Sequence, residues 1–255
     1  MMKFIRDRVL NGEIMFGIGA TIGSSLTVEM IGNAAFDWTW IDCEHGAGGY
    51  SELLTQMQAA SIGNAPPIVR IVWNETPRFK RVLDLGAAGV MVPYINTAEE
   101  ARKVAESMKY PPEGIRGVAK GARACGFGPD FDNYFENANK NLLTVVQIET
   151  MEGVNNAPEI AAVDGVDVLF VGPVDLSVNM GIPQQFEQAD FVSAIASVVK
   201  ACKDNGKAAG ILIPTLDYLE KWIAMGFTFL VVGSDGGIIA GGLRNIASQC
   251  KIFKG

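Results

Sequence analysis

The chain has 255 residues, of which 49% are hydrophobic and 19% are charged, enough apolar material for one large buried core. Its formal net charge of −7 disfavours nucleic acid or an anionic membrane surface as a partner, because both require a basic face. The N-terminal segment MMKFIRDRVLNGE lacks the apolar stretch and cleavage site of a signal peptide, and no apolar run is long enough to span a bilayer. The four cysteines form no CxxC pair, which is typical of reduced thiols in a cytoplasmic protein.

Eight short apolar runs, often rich in β-branched residues, are predicted to be strands. They cover residues 14–20, 36–42, 67–73, 89–95, 143–149, 166–172, 208–214 and 227–233. Near-continuous apolar runs of this length are typical of parallel strands that are covered on both faces.

Helix signals lie between these runs. Thr76 followed by Pro77 predicts an N-cap and a first-turn proline, and Gly86 lies where that helix should end. Thr97 with Glu100 three residues later predicts a capping box. Eight strands alternating with helices predict a single-domain (β/α)8 TIM barrel rather than an open sheet.

Residues 110–141 interrupt this alternation. They are rich in glycine, proline, asparagine and aromatic residues and show no sustained helical periodicity. A segment of this length inside a compact domain predicts a functional loop or a contact between subunits. Its cations Arg116, Lys120 and Arg123 are interpreted as loop charges or subunit contacts, with the alternative that they face an anionic substrate.

Polar residues are concentrated where the predicted strands end, and in barrels of this kind the chemistry lies at the carboxyl ends of the strands. The residues concerned are Asp42, Glu44, His45, Arg70, Gln147, Glu149, Asp175, Ser177, Ser234 and Asp235. We expect them to converge on one rim, which is the candidate active site.

Arg70 lies inside an otherwise apolar strand, where an unpaired charge would be strongly unfavourable. Two interpretations follow. The guanidinium closes a salt bridge inside the barrel, or its fork of N–H groups holds a carboxylate or a developing oxyanion.

Glu149 and Asp175 are carboxylates at the ends of adjacent strands. They suit a hard divalent cation such as Mg²⁺ or Mn²⁺, which prefers oxygen ligands. The alternative is a pair of solvated acids. Zinc is disfavoured because His45 is the one histidine in the chain and the cysteines are scattered.

Eight segments, in this order, resemble the HpcH/HpaI aldolase family. They are FDWTWIDCEHG, PIVRI, RVLDLGAAGVMVPYI, YPPEGIRGV, VVQIET, VDVLFVGPVDLS, GKAAGIL and FTFLVVGSD. Together they span almost the whole chain, and the pairing of QIET with GPVDLS is specific. The segments around Cys43 and residues 46–49 depart from the family pattern, near the aldehyde half of the substrate.

The resemblance implies a class II aldolase that cleaves a 4-hydroxy-2-oxo acid to pyruvate and an aldehyde through a metal-stabilised pyruvate enolate. Glu149 and Asp175 would bind the cation, Mg²⁺ or Mn²⁺, with Co²⁺ also possible. The substrate would be bound by Gln147, Gly172, Val174, Asp175 and Leu212.

The resemblance also implies roles for four catalytic residues. Arg70 would stabilise the enolate oxygen, and His45 would act as the acid and base. Asp42 would orient His45, and Asp84 would join the proton relay from a neighbouring subunit. Glu44 is predicted to point away from the site. The family expectation is a homohexamer built as a trimer of dimers.

Two other functions are compatible with the same residues. The same enolate could serve the decarboxylation of a 2-oxo diacid, or the barrel could bind a keto acid without catalysis. No lysine falls inside a predicted strand, which disfavours an aldolase that forms a Schiff base.

Overall fold

The computed structural model describes residues 4–253, and its centre is a closed barrel of eight parallel strands. The strands are β1 (Met15–Ala20), β2 (Trp38–Asp42), β3 (Pro67–Arg70), β4 (Gly89–Val92), β5 (Leu143–Ile148), β6 (Val168–Val171), β7 (Ala208–Leu212) and β8 (Phe229–Ser234). They follow one another in chain order, and β8 pairs with β1. The predicted single-domain (β/α)8 barrel is confirmed.

Helices surround the barrel and connect its strands. They are α1 (Arg6–Leu10), α2 (Ser25–Asn33), α3 (Tyr50–Ala60), α4 (Thr76–Asp84), α5 (Ala98–Met108), α6 (Phe131–Asn141), α7 (Met151–Asn155), α8 (Ala157–Ala161), α9 (Pro173–Asn179), α10 (Ala189–Asp204), α11 (Leu219–Met225) and α12 (Asp235–Lys251). Helix α1 lies before β1, and its Val9, with Ile5 just before it, packs into the barrel interior. The amino end of the barrel is therefore closed, and its open end is the rim at the carboxyl ends of the strands.

Alternation along the strands decides which polar side chains reach that rim, because every second residue points into the barrel. The interior layers contain Met15, Trp38, Trp40, Ile68, Met91, Leu143, Val145, Val168, Phe170, Phe229 and Val231. The next inward positions after Trp40 and Ile68 are Asp42 and Arg70, which the β2–β3 register places side by side. Gln147 follows Val145 in the same way. Polar residues thus form the last inward layer.

Capping residues set the helix boundaries near the rim. The predicted capping box is confirmed: the Thr97 side-chain oxygen accepts from the Glu100 N–H at 3.2 Å, and the Glu100 carboxylate accepts from the Thr97 N–H at 3.1 Å. Helix α4 has Glu75 as its N-cap, so Thr76 is its first residue rather than its cap. Gly86 lies just beyond its end, as predicted.

The segment 110–141 is not the continuous irregular loop that the sequence predicts, because its last third forms helix α6. Four asparagines in FDNYFENANKN give this helix weak intrinsic propensity, which hides its pattern. The helix forms because tertiary contacts hold it: Tyr134 is buried, and Phe135 packs against Tyr110 with ring centroids 4.8 Å apart.

Two basic residues of this segment serve the fold. Arg116 is fully buried and donates to the Asp84 carboxylate at 2.9 Å and to the Tyr134 hydroxyl at 3.2 Å. Arg123 donates to two backbone carbonyl oxygens at 2.6 and 3.3 Å. These contacts support the interpretation of both residues as loop charges and argue against their facing a substrate of their own barrel.

The C-terminal helix α12 leaves an apolar face uncovered. Within this helix Asp235 is the one buried residue. Ile239, Leu243 and Ile246 share one side of the helix and are 46%, 63% and 61% exposed. Among residues 4–253 no helix has both the length and the apolar character needed to cross a bilayer.

Candidate active site

Arg70 is held at the rim by two carboxylates. Asp42 accepts from its Nε at 2.9 Å and from its Nη2 at 2.7 Å, and Glu44 Oε2 lies 3.0 Å from Nη1. The Trp40 ring lies against the guanidinium, with Cζ 4.4 Å from the ring centroid. The salt-bridge interpretation of Arg70 is therefore confirmed. It does not exclude the other one, because Nη1 and Nη2 carry two N–H groups each and these contacts use one of each.

The surroundings of His45 differ from the prediction. The Asp42 carboxylate is bound to Arg70 and accepts the His45 backbone N–H at 3.3 Å, but it does not contact the imidazole. The His45 side chain is 70% exposed, and its Nε2 lies 3.9 Å from Glu44 Oε2. The prediction that Glu44 points away from the site is wrong, since its carboxylate lies between Arg70 and His45.

The tight bend after β2 explains why Glu44 turns inward. Asp42 Oδ1 accepts the Glu44 N–H at 3.0 Å and folds the chain back toward the barrel. A Cβ at Gly46 would overlap the Asp42 carbonyl oxygen, so the bend requires glycine at this position. The glycine after the histidine therefore fixes the strand end that carries Asp42.

Glu149 lies just beyond β5 and is 2% exposed. Its Oε1 accepts from Gln147 Nε2 at 3.0 Å, and its Oε2 accepts the Tyr94 backbone N–H at 3.1 Å. Burial raises the pKa of Glu149 to about 7, and the negative charge of Asp175 contributes to the increase. The Glu149 and Asp175 carboxylates are thus close enough to interact.

The turn from β6 into α9 brings Asp175 to the rim. Asp175 lies half-buried in the first turn of α9, and Val174 beside it is 42% exposed. Gly172 caps this helix, and a Cβ on it would lie 2.8 Å from Glu149 Cγ and closer still to Oε1. The Gly172 N–H donates to the Ile148 carbonyl at 3.2 Å, so this amide is engaged within the chain. Substrate binding by Gly172 stays a prediction.

The polar groups at the rim fit a divalent cation. Gln147 Oε1 is buried without a hydrogen-bond partner among residues 4–253, so this oxygen is available to a group bound at the rim. No three carboxylate, imidazole or thiol side chains converge on a cation site in the same residues. A cation at Glu149 and Asp175 would therefore take further ligands from substrate and water, as Mg²⁺ commonly does.

Asp84 and Leu212 lie in different parts of the barrel. Helix α4 runs antiparallel to the strands, so its last residue, Asp84, lies at the amino end of the barrel and pairs there with Arg116. Asp84 consequently does not reach the His45 of its own chain. Leu212 is the last residue of β7 and packs against the interior layers, at the rim.

Three polar residues expected at the rim are structural. The Ser177 hydroxyl donates to the Val174 carbonyl at 2.8 Å, and the Ser234 hydroxyl caps α12. Asp235 is buried and accepts from the backbone N–H and the hydroxyl of Thr21 at 2.7 and 2.9 Å. The candidate catalytic and metal-binding residues are therefore those at or just after the ends of β2, β3 and β5 and in the first turn of α9.

Two aromatic residues near the rim were not predicted from the sequence. Trp40 lies two residues before Asp42 in β2, so the two-residue period of a strand could have identified it. Tyr94 follows β4 with a positive φ of 54°, for which the sequence carries no signal.

The chain is similar to known proteins over most of its length. The sequence model of the HpcH/HpaI aldolase/citrate lyase family matches residues 21–241. The chain is 38% identical over 239 residues to the 5-keto-4-deoxy-D-glucarate aldolase of Salmonella arizonae, covering 94% of this chain and 93% of that protein. It is 39% identical over 251 residues to the hydroxypyruvate/pyruvate aldolase of Roseobacter denitrificans, covering 98% of each.

A solved structure shows the same likeness. An HpcH/HpaI aldolase/citrate lyase family protein from Burkholderia cenocepacia superposes with a TM-score of 0.92 at 31% identity, covering 97% of this chain and 98% of that one. Family match, relatives and architecture agree over nearly the full length of the chain. This protein belongs to the HpcH/HpaI aldolase/citrate lyase family.

Proposed function

We propose that the rim of this barrel cleaves a 4-hydroxy-2-oxo acid to pyruvate and an aldehyde. The chain is a class II pyruvate aldolase, a carbon–carbon lyase, as its relatives at 38% and 39% identity are aldolases. The observation that carries the assignment of the site is the buried Arg70, which Asp42 and Glu44 hold at the same rim as the buried Glu149 carboxylate.

The family is generally dependent on a divalent metal. For this chain we propose Mg²⁺ or Mn²⁺, with Co²⁺ also possible, held by Glu149 and Asp175 with Gln147 beside it. When bound, such a cation would act as a Lewis acid toward the carboxylate and keto oxygens of the substrate.

Arg70 is proposed to stabilise the negative charge that develops in the reaction. Breaking the C3–C4 bond leaves an electron pair at C3, which delocalises onto the oxygen at C2. The free N–H groups on Nη1 and Nη2 would donate to that oxygen. Because Asp42 and Glu44 fix the guanidinium, it needs no reorganisation when the charge appears.

His45 is proposed to remove the proton from the C4 hydroxyl, after which the aldehyde leaves and C3 is protonated to give pyruvate. Asp42 contributes by holding Arg70 and the His45 backbone. Asp84 is proposed to reach the imidazole from a second copy of the chain. The amides of Val174 and Asp175, in the first turn of α9, are proposed to bind the substrate carboxylate.

The remaining substrate contacts are proposed for the interior of the rim. Gly172 would contribute by close backbone packing rather than through its amide, and Leu212 would line the site from β7. Gly172 directly follows β6 and Leu212 is the last residue of β7, so both lie at the carboxyl ends of the strands.

Incubation with Mn²⁺, pyruvate and a small aldehyde tests the function. We expect a condensation product and exchange of deuterium into the pyruvate methyl group. Failure to form product with any aldehyde, although metal binds, would contradict the proposal. Release of CO₂ from oxaloacetate without condensation would favour the decarboxylase, and pyruvate binding without methyl exchange would favour a non-catalytic barrel.

The affinity of the metal-free enzyme for Mn²⁺ should fall as the pH decreases below about 7. Burial raises the pKa of Glu149 to about 7, and a cation binds the deprotonated carboxylate. Each pH unit below that pKa should weaken binding about tenfold. Calorimetric titration with Mn²⁺ between about pH 5.5 and pH 8.5 measures this, and Glu149→Gln should remove the dependence.

The same pKa has a consequence for stability. Because the folded-state pKa of Glu149 lies above its ordinary value, its contribution to the stability of the metal-free protein is present at low pH and lost as the pH rises through about 7. The Tm of the metal-free protein should therefore fall as the pH rises through about 7. With saturating Mn²⁺ the Tm should instead rise over the same range, because the cation binds the deprotonated carboxylate. A wild-type Mn²⁺ affinity that is constant between about pH 5.5 and pH 8.5 would contradict the predicted pH dependence of metal binding.

We propose that the protein is a homo-oligomer, a hexamer built as a trimer of dimers, in which the apolar face of α12 packs against a second copy. Ile239, Leu243 and Ile246 are exposed in the single chain, although burying them would be favourable. The site gives a second reason, because the proposed role of Asp84 needs a neighbouring copy.

Leu243→Glu should lower the oligomeric state, because it places a charge in the centre of the proposed contact. Ser248→Glu is the matched control, since Ser248 lies on the opposite side of the same helix. Light scattering measures both variants. An unchanged mass for Leu243→Glu would exclude this face as the contact.

We also propose a cytoplasmic location. Cys43, Cys125, Cys202 and Cys250 are free thiols, which suits a reducing compartment.

A further inference from the structure

Trp40 is the inward-facing residue directly beneath the polar layer of the rim. It lies in β2 two residues before Asp42, and it is 6% exposed. In the barrel it pairs with Gly19 of β1 and Ile68 of β3. A Cβ on Gly19 would lie 3.4 Å from Cε3 of the Trp40 ring, so β1 limits the ring on one side. On the side of β3 the ring meets Arg70.

The guanidinium of Arg70 lies over this ring. Its Cζ is 4.4 Å from the ring centroid, and Arg70 is itself 6% exposed. An aromatic face attracts a cation, and the attraction is strongest where both groups are removed from water. Aliphatic side chains such as Met91 and Val168 fill other positions of the barrel interior. An aliphatic side chain in place of Trp40 would fill the space but would not attract the guanidinium.

The indole N–H does not explain a tryptophan at this position. Trp40 Nε1 is buried and has no hydrogen-bond partner in the part of the chain that the structure describes, and the same is true of Trp38 Nε1. A buried donor without a partner is unfavourable. Trp38 stacks on Phe229 instead, with ring centroids 4.0 Å apart, and no cation among residues 4–253 lies over its ring. The ring faces of the two tryptophans thus have different neighbours, and only that of Trp40 meets a charge.

The ring and the two carboxylates restrain the guanidinium in different directions. Asp42 accepts from Nε and Nη2 at 2.9 and 2.7 Å, and Glu44 lies 3.0 Å from Nη1, so both carboxylates bind its edge. Contacts along the edge hold a planar group within its own plane, but they resist a tilt out of that plane less. Such a tilt would turn the free N–H groups on Nη1 and Nη2 away from the substrate oxygen. The face of Trp40 blocks a tilt toward the barrel interior.

We propose that Trp40 is a positioning residue for the reaction, whose ring holds the plane of the Arg70 guanidinium in the orientation that donates to the developing oxyanion. It acts through Arg70 rather than on the substrate itself. This inference rests on the proposed aldolase function and adds to it a residue from the layer below the polar rim.

Replacing the indole with an apolar side chain tests the role of the ring. Trp40→Met leaves an unbranched side chain that adapts to the space but has no ring. We expect it to lower kcat for condensation of pyruvate with a small aldehyde about 10- to 30-fold. The KM for pyruvate should stay within about twofold, because Arg70 acts on charge that develops after pyruvate has bound. Deuterium exchange into the pyruvate methyl group should fall in parallel with kcat.

A conservative variant and a matched control separate the ring from its volume. Trp40→Phe keeps an aromatic face under the guanidinium and should retain kcat within about threefold of the wild type. Trp38→Met makes the same change two residues earlier in β2, where no cation lies over the ring. It should lower the Tm at least as much as Trp40→Met does but leave kcat within about twofold. Trp40→Leu replaces Trp40→Met in this comparison if the methionine variant does not fold.

A double-mutant cycle with Arg70→Lys shows whether the ring acts through the guanidinium. Lysine presents a compact charge that has no plane to orient. In the Arg70→Lys background, Trp40→Met should therefore lower kcat by less than about threefold, in contrast to its effect in the wild type.

The outcomes separate the inference from the function on which it rests. Absence of deuterium exchange into pyruvate in the wild type would overturn both. With normal exchange in the wild type, three results would each overturn the role of Trp40 alone. They are a kcat of Trp40→Met close to that of the wild type, equal losses in Trp40→Met and Trp40→Phe, and losses that multiply in the cycle with Arg70→Lys.

Discussion

Replacing Arg70 with lysine is expected to lower kcat/KM for pyruvate condensation about 10²- to 10³-fold, although the positive charge is kept. In the native site the three guanidinium nitrogens bind Asp42 through Nε and Nη2 and Glu44 through Nη1. An ammonium group cannot occupy these positions together and still donate to the substrate oxygen. Deuterium exchange into the pyruvate methyl group should fall in parallel, because it needs the same stabilisation.

Lysine tests this role better than alanine does. Arg70→Ala would leave the buried Asp42 carboxylate without its partner, and breaking a buried pair in this way destabilises a protein by about 3–5 kcal/mol. Arg78→Lys is the matched control, because it makes the same change at a partly exposed guanidinium paired with Glu75. Arg70→Lys with activity close to that of the control would show that positive charge alone suffices.

The barrel could be predicted from the sequence because each strand is a short apolar run, covered on both faces. The strand ends could be predicted for the same reason, and parallel strands in a closed barrel bring their carboxyl ends to one rim. Asp42, Arg70 and Gln147 are the last inward positions of β2, β3 and β5, so their convergence follows from the two-residue period.

Contacts beyond the strand ends could not be predicted in this way. Glu44 is two residues past β2, where the bend held by Asp42 and Gly46 replaces the strand period, so its inward direction depends on that bend. The choice of Arg70 rather than His45 as the partner of Asp42 depends on the lateral β2–β3 register. Helix α6 was not predicted because its four asparagines give it weak intrinsic helix propensity. The contacts that stabilise it are tertiary and form only in the folded chain.

Replacing Gly172 with alanine is expected to weaken Mn²⁺ binding about 10- to 100-fold, although neither proposed ligand is changed. A Cβ at this position would lie 2.8 Å from Glu149 Cγ and 3.0 Å from Cδ. The buried carboxylate must then move, and it would lose its hydrogen bonds to Gln147 Nε2 and the Tyr94 N–H. Overpacking of this kind should also lower the free energy of unfolding by about 1–3 kcal/mol.

A second substitution shows whether the added methyl group acts through Glu149. In the Gly172→Ala background, Glu149→Asp shortens the side chain by one methylene and makes room for the methyl group, so part of the Mn²⁺ affinity should return. In the wild-type background the same Glu149→Asp change should only weaken binding, because it draws the carboxylate back from its partners. A coupling of this sign, measured by calorimetry in a double-mutant cycle, identifies the Glu149 carboxylate as the group displaced.

Gly121→Ala is the control for adding a methyl group to a glycine, because a Cβ there meets no atom within 4 Å. It should leave the Mn²⁺ affinity unchanged. If Gly172→Ala also binds Mn²⁺ as the wild type does, the cation does not depend on the position of Glu149, and the assignment of this carboxylate as a ligand is wrong. If Gly172→Ala binds weakly and Glu149→Asp does not improve it, the methyl group acts instead through the start of α9, which carries Asp175.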